Sequence, residues 1–325
     1  MLGGTVFVGR HIVAEALARG HDVALFNRGR THPELFEGVE RLRGDREHGD
    51  LAALAGRSWD AVVDTSGYVP RVVRASAELL ADSAAHYTLI STGSVYADSS
   101  GPEIGEDSPV ATVDDETTED VERHYGALKA LCERAAEDAL PGRVLSVRSG
   151  IVVGAHDPTG RFTYWVHRIA RGGDVLAPEP RDQPVQVIDA RDLAAWILDA
   201  AERGLTGVLN VAGPETPLTL GRLLEGIRAA TGSEARFVWA DEDLLLAHGV
   251  EPGRDLPLWL APGANPGTAY FFALDIARAL AAGLRHRPLG ETVAATLAEA
   301  ATAPGVGLSP ARERALLAAA GKRVA

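Results

Sequence analysis

Tyr125 and Lys129 have the types and spacing of two side chains that can act on one proton. They stand four apart in Tyr125-Gly126-Ala127-Leu128-Lys129, which on a helix places both on one face. An ammonium beside a phenol favours the phenolate and lowers a tyrosine pKa from its reference of about 10. Such a tyrosine can serve as a general acid/base near neutral pH. Residue choice at 129 adds weight, because Lys129 and Lys322 are the only lysines among 32 basic residues. By the chain's own usage lysine would fall at 129 about one time in sixteen (2 of 32). Arginine is a wide planar fork, whereas lysine is a compact point charge. The plain alternative is a helix-surface lysine beside a packed tyrosine.

A second constellation lies at the chain start, in Gly3-Gly4-Thr5-Val6-Phe7-Val8-Gly9. Gly3 suits a tight turn out of a strand, and Gly9 allows close helix–strand packing. The backbone N–H groups of the following helix start then face a pyrophosphate. Gly3, Thr5, Val6, Phe7, Val8 and Gly9 are therefore candidate cofactor-binding positions. Valine at 6 stands where the middle glycine normally admits the phosphates. The second strand ends in Phe26-Asn27-Arg28-Gly29-Arg30. NAD sites usually carry an acidic residue about 20 residues past the glycines, bonded to the ribose. Here Asn27 and Arg28 occupy that place, and Arg10 directly follows Gly9. Cations without a carboxylate suit a 2′-phosphate, so NADP is expected over NAD, with NAD as the alternative. The plain alternative is solvated surface arginine. Asp45, in Gly44-Asp45 after the third strand, is either an adenine contact or part of a turn.

The elements that must position these groups follow a βα rhythm. Helical spacing runs from Arg10 to Arg19, Asp22 to Phe26 is a strand, and Ala61 to Val63 is a strand closed by Asp64. Pro70 opens a helix to about Ala81. Thr88 to Ile90 is a strand ending in Ser91-Thr92-Gly93, a helix covers about 119–138, and Val144 to Val147 is the next strand. Alternation of this kind predicts an α/β fold: a doubly wound, Rossmann-like parallel sheet covered on both faces. After Gly154 the rhythm changes. Residues 1–154 read as the dinucleotide-binding domain, with 185–211 returning to the sheet. Residues 155–184 and 212–325 read as a smaller, mostly helical substrate-binding lobe. Helices are expected at 218–231, 240–247, 274–282, 289–301 and 309–320. The stretch 249–267, with Pro252, Pro257, Pro262 and Pro266, reads as an irregular loop over a pocket.

Composition excludes several classes. A net charge of −13 with no basic block argues against nucleic-acid binding. One cysteine, Cys132, excludes an intramolecular disulfide and a cysteine-based zinc site. No apolar run reaches the roughly 18 residues of a membrane span. A soluble cytoplasmic protein with a small-molecule substrate is expected, without nucleic-acid or membrane partners.

Taken together, the chain resembles the extended short-chain dehydrogenase/reductase family, in its NAD-dependent epimerase/dehydratase branch. The matches are the turn at 3–9, Gly44-Asp45, Ser91-Thr92-Gly93-Ser94-Val95-Tyr96, and Tyr125-x-x-x-Lys129, with Thr92 33 residues before Tyr125. The resemblance implies that the Thr92 hydroxyl orients the substrate oxygen, Tyr125 transfers the proton and Lys129 holds the nicotinamide ribose. It also implies a homodimer through two helices per subunit, here 70–81 and 119–138. Valine at 6 and the Asn-Arg ending look like an atypical branch that includes reductase-like proteins and chloroplast stem-loop-binding proteins. The implied activity is NADP(H)-dependent transfer of a hydride to or from a small carbonyl or alcohol substrate. Alternatives are a sugar-nucleotide epimerase and a non-catalytic dinucleotide- or RNA-binding protein.

Departures from the family pattern narrow this further. Sugar-nucleotide dehydratases carry Asp-Glu directly after the threonine, whereas this chain has Gly93 and Ser94. Many sugar-nucleotide enzymes place an asparagine where Ile151 stands. Arg161-Phe162-Thr163-Tyr164-Trp165 either lines an apolar pocket or forms the core face of a helix. His156 and Asp157 lie near the expected pocket without metal-ligand spacing, and Cys132 reads as core. Only Met1 and Leu2 precede Gly3, whereas strands typically run about five or six residues. A first strand lacking upstream residues, from a misplaced start or a fragment, is therefore expected, with lower stability and weaker cofactor binding.

Overall fold

The computed structural model describes residues 1–102, 104–299 and 305–324. Its frame is a parallel sheet built from short aliphatic runs: β1 (Ala24–Asn27), β2 (Glu40–Arg43), β3 (Val62–Asp64), β4 (Tyr87–Thr92) and β5 (Val144–Ser149). β1 pairs in parallel with β2, β3 with β4, and β4 with β5. Residues 1–3 run between β1 and β3. Leu2 N–H donates to Val63 O and Phe26 N–H to Met1 O, both at 2.9 Å, and Gly3 N–H donates to Phe26 O at 3.0 Å. Strand order therefore reverses at residues 1–3. In doubly wound sheets such a switch point opens a crevice at the carboxyl ends of the strands.

Helices cover both faces. α1 (Phe7–Ala18) leaves the switch point, α2 (Pro70–Leu80) begins on a proline, and α3 (Val121–Ala139) follows β4. Proline suits that first helical position, where its missing N–H would have had no partner. Val73, Ala77 and Leu80 of α2 pack with Cys132 and Ala136 of α3 against Tyr87, Leu89 and Val144. Every residue of β5 is buried, as expected for a strand covered on both sides.

Beyond β5 come β6 (Ile151–Val153), α4 (Arg161–Ala170), β7 (Asp174–Pro178), β8 (Pro184–Val185) and β9 (Val187–Asp189). Next are α5 (Ala190–Glu202), β10 (Gly207–Val211), β11 (Leu218–Thr219), α6 (Leu220–Thr231) and β12 (Arg236–Ala240). The last helices are α7 (Glu242–Ala247), α8 (Ala277–Ala281), α9 (Leu289–Leu297) and α10 (Pro310–Val324). β10 joins the main sheet beside β5, and α5 packs with α1 over Leu145 and Val147. Of the segment 185–211, α5 and β10 thus belong to the sheet. β8 pairs instead with β11, and β9 with β6.

A second core gathers Phe162, Trp165 and Ile169 of α4 with Leu223, Leu224 and Ile227 of α6. The C-terminal part is less helical than its sequence suggests, because β12 pairs in parallel with β7. Residues 249–267 are irregular, as expected, but line neither of the two cavities at the carboxyl edge of the sheet. Leu256, Leu258, Trp259 and Ala261 are buried, and the Trp259 indole donates to Glu179 O at 3.0 Å. The helix expected over 289–301 ends at Leu297, and residues 300–304 lie outside the described residues. Among the described residues, no helix is long and apolar enough to cross a membrane.

Candidate active site

Two adjoining cavities occupy the carboxyl edge of the sheet. The larger, about 510 Å³, is lined by Gly3 to Gly9, Thr92, Tyr125 and Lys129. The smaller, about 230 Å³, is lined by Asn27, Arg28, Gly29, Arg30 and Asp45. Gly3, Thr5, Val6, Ser66 and Tyr68 border both, so they form one crevice. All ten cofactor positions expected from the sequence (Gly3, Thr5, Val6, Phe7, Val8, Gly9, Asn27, Arg28, Asp45 and Lys129) fall on its wall. Arg10 lines neither cavity.

The glycine turn is shaped for close approach. Gly3 and Gly4 both hold φ +98, and a Cβ on Gly9 would lie 2.9 Å from Gly4 Cα. Val6 sits at the N-cap of α1 without a side-chain cap, and the first turn carries no acidic residue. The first N–H groups of α1 therefore lack side-chain partners beside the cavity, which fits a pyrophosphate. Val6 itself is 51% exposed and narrows that approach.

Asn27 takes up a bracing role where an acid would bond a ribose. Its Nδ2 donates to Gly3 O at 3.0 Å, and its Oδ1 accepts from Gly29 N–H at 2.9 Å and Arg43 Nη1 at 3.3 Å. Arg28 is exposed and lies 3.6 Å from Glu47. Beneath it, Arg46 grips the fully buried Asp64 through two bonds of 2.7 Å. That pair ties the loop carrying Asp45 to the end of β3. Asp64 also holds Ser66 N–H at 2.9 Å on the crevice wall. Sequence reading missed Arg46, Arg43 and Tyr68; Asp64 at a strand end was the one available signal.

Strand alternation separates the hydroxyls at the end of β4. Ser91 turns away and donates to Glu133 Oε1 at 2.5 Å. Thr92 lines the cavity with Tyr125, and its Oγ1 accepts from Ser94 N–H at 3.1 Å and donates to Ser94 Oγ at 3.2 Å. α3 bends at His124, so the regular helix carrying Tyr125 and Lys129 starts at the tyrosine. Gly126 permits the close approach of α3 to the turn after β4, since a Cβ there would lie 2.0 Å from Ser94 O.

Lys129 does not do what its spacing suggests. Its buried ammonium donates to Gly67 O at 2.6 Å and Ile90 O at 2.7 Å. It also lies 5.6 Å from the centroid of the Tyr68 ring. Burial lowers its pKa. The Tyr125 pKa is raised rather than lowered, first by burial and then by Tyr68, with Thr92 and Arg161 opposing the rise. The expected phenolate is thus replaced by a phenol that keeps its proton. The aromatic run after Arg161 forms the core face of α4: Phe162 and Trp165 are fully buried, and only Arg161 reaches the cavity. Phe271, Phe272 and Leu274 line the cavity from the stretch before α8. Cys132 is a core thiol, pushed up to about 12 by burial.

A doubly wound sheet with a glycine turn at its switch point defines a dinucleotide-binding fold of the short-chain dehydrogenase/reductase type. The sequence model of the NAD dependent epimerase/dehydratase family matches residues 1–212, and the chain belongs to that family. It is an NAD(P)-dependent enzyme of the short-chain type, and its cofactor is a nicotinamide dinucleotide. No curated protein sequence matches the chain. Among solved structures, a human epimerase family protein with NADPH is 24% identical. That match has a TM-score of 0.62 and covers 92% of this chain and 99% of that one. UDP-glucuronic acid 4-epimerase from Bacillus cereus in complex with NAD is 17% identical, with a TM-score of 0.63, covering 90% and 95%. The Bordetella bronchiseptica enzyme WbmH in complex with NAD+ is 18% identical, with a TM-score of 0.60, covering 91% and 96%. At these identities the likeness is one of fold.

Proposed function

We propose that the chain is an NADP(H)-dependent oxidoreductase acting on a small carbonyl or alcohol substrate through Thr92, Tyr125 and Lys129. The observation that carries the reading is that Thr92, Tyr125 and Lys129 line the same cavity as the glycine turn. When bound, the nicotinamide supplies the hydride. Gly3 to Gly9 would hold the pyrophosphate, and Lys129, with one of its three N–H donors left beyond Gly67 O and Ile90 O, would hold the ribose. Thr92 orients the carbonyl oxygen, and Tyr125 donates the proton that oxygen needs as it becomes a hydroxyl. A phenol with a raised pKa is protonated at neutral pH, which is the form that the reductive direction needs.

Arg28 and Arg30 on the smaller cavity, with Asn27 in place of a carboxylate, support NADP over NAD. Gly93, Ser94 and Ile151 line the larger cavity and supply no acid–base pair for elimination. In this reading the dinucleotide is held by residues 1–154 with 185–211, the substrate by 155–184 and 212–325, and two subunits meet through α2 and α3. An epimerase would use the same three residues with a transient keto intermediate, and the family includes that activity. Two incubations separate the readings, NADPH with a panel of aldehydes and ketones and NADP+ with sugar nucleotides. Net NADPH loss matched by alcohol supports the reductase, whereas isomerised sugar nucleotide without net loss supports the epimerase.

A further inference from the structure

The chain carries 45 acidic against 32 basic residues, yet among the described residues no aspartate or glutamate lines the larger cavity. Its charged lining side chains are Lys129 and Arg161. Lys129 is committed to two main-chain carbonyls. Arg161 is differently placed. It stands in the first turn of α4, where the helix dipole disfavours a cation. That turn has no acidic residue, and its N-cap, Gly160, offers no side chain. Nε of Arg161 donates to Thr159 Oγ1 at 3.2 Å, and Thr159 in turn donates to Asp157 Oδ1 at 2.8 Å. Among the described residues Arg161 makes no ion pair, and its two terminal nitrogens have no protein partner. Burial lowers its pKa, and the nearby Asp157 carboxylate and Tyr125 offset that only in part. A partly desolvated guanidinium at the wrong end of a helix lowers stability unless an anion completes it. Around it the wall is apolar, with Ile151, Phe271, Phe272 and Leu274.

We propose that Arg161 is the specificity-determining residue of the substrate site and binds an oxyanion, carboxylate or phosphate, on an otherwise apolar substrate. This rests on the proposed oxidoreductase reading, which puts the reacting carbonyl beside Tyr125, the neighbour on which the Arg161 charge acts. Arginine suits the task because its planar fork meets either oxyanion with two parallel hydrogen bonds.

Calorimetry on the NADP-saturated protein tests the idea without requiring turnover. The probes are benzoylformate against its methyl ester, and phenyl phosphate against phenol. At least one anion should bind about tenfold or more tightly than its neutral partner, as a charge-assisted hydrogen bond predicts. The arm showing the larger gap identifies carboxylate or phosphate as the source. The gap should vanish in Arg161→Gln and persist in part in Arg161→Lys, with thermal melts confirming that both variants fold. Equal binding of anion and neutral partner in the parent overturns the proposal, as does failure of either anion to bind at millimolar concentration. A gap that survives in Arg161→Gln, or a Gln variant that loses NADP affinity instead, overturns it too. Anion binding without carbonyl reduction would count against the oxidoreductase reading and leave the oxyanion site standing.

Discussion

Replacing Gly126 with alanine adds one methyl group at the point where α3 meets the turn after β4. The new Cβ would lie 2.0 Å from Ser94 O, against an ordinary contact that begins at 3.4 Å, so the two must part by about 1.4 Å (3.4 − 2.0). The obstructing atom is main chain and cannot rotate away. Tyr125 immediately precedes the substitution, and Thr92 caps the turn through Ser94 N–H, so the displacement falls between Thr92 and Tyr125. A misplacement of about 1 Å can cost about 10²-fold in rate. Stability should change far less. Overpacking costs roughly 1–3 kcal/mol, and alanine returns about 1 kcal/mol of helix propensity. Gly126→Ala should therefore melt within a few degrees of the parent while kcat for NADPH-dependent reduction drops about 10²-fold. Gly101→Ala is the control, since a Cβ there meets nothing within 4 Å. A Gly126→Ala protein with kcat within twofold of the parent would refute the reasoning.

Other expectations follow from the same geometry. Arg28→Ala should weaken NADP more than NAD in paired calorimetric titrations, and equal losses would remove Arg28 from the 2′-phosphate site. Val6→Gly should tighten binding of both cofactors by clearing the turn; unchanged dissociation constants would show that Val6 does not obstruct the phosphates. Tyr87, buried against Asp64, and Tyr125 both have raised pKa values. Unfolded tyrosine ionises near about 10 while the folded protein holds these protons, so their stabilisation is complete below that pH. It is lost as pH rises through the folded values, and urea midpoints should fall across that alkaline range. A flat profile would contradict the burial of these phenols.

The parallel sheet and the crevice were legible because they rest on local signals. A glycine turn before a helical run, buried aliphatic strands and Pro70 each act within a few residues. Ten expected cofactor positions reached the crevice on that basis. What escaped depends on tertiary context. The Tyr/Lys spacing is that of a helix face, but carbonyls 62 and 39 residues away in sequence claim the Lys129 ammonium. β12 is stabilised by pairing with β7 across a long separation, which periodicity cannot reveal. The proline-marked stretch 249–267 is the irregular loop expected, yet its Trp259 and leucines supply core burial, which the prolines do not signal. The need for glycine at 126 comes from Ser94 O standing against it, a tertiary contact that no local pattern shows.

The central claim is that the Tyr125 phenol donates the proton in an NADPH-dependent carbonyl reduction. Single-turnover NADPH oxidation with a carbonyl identified by screening tests it most directly, comparing the parent with Tyr125→Phe. The account predicts that NADPH loss matches alcohol formation in the parent. In Tyr125→Phe, NADPH affinity should hold while the rate falls by about 10²–10⁴, the range of a lost general acid. A Tyr125→Phe rate within twofold of the parent would contradict it.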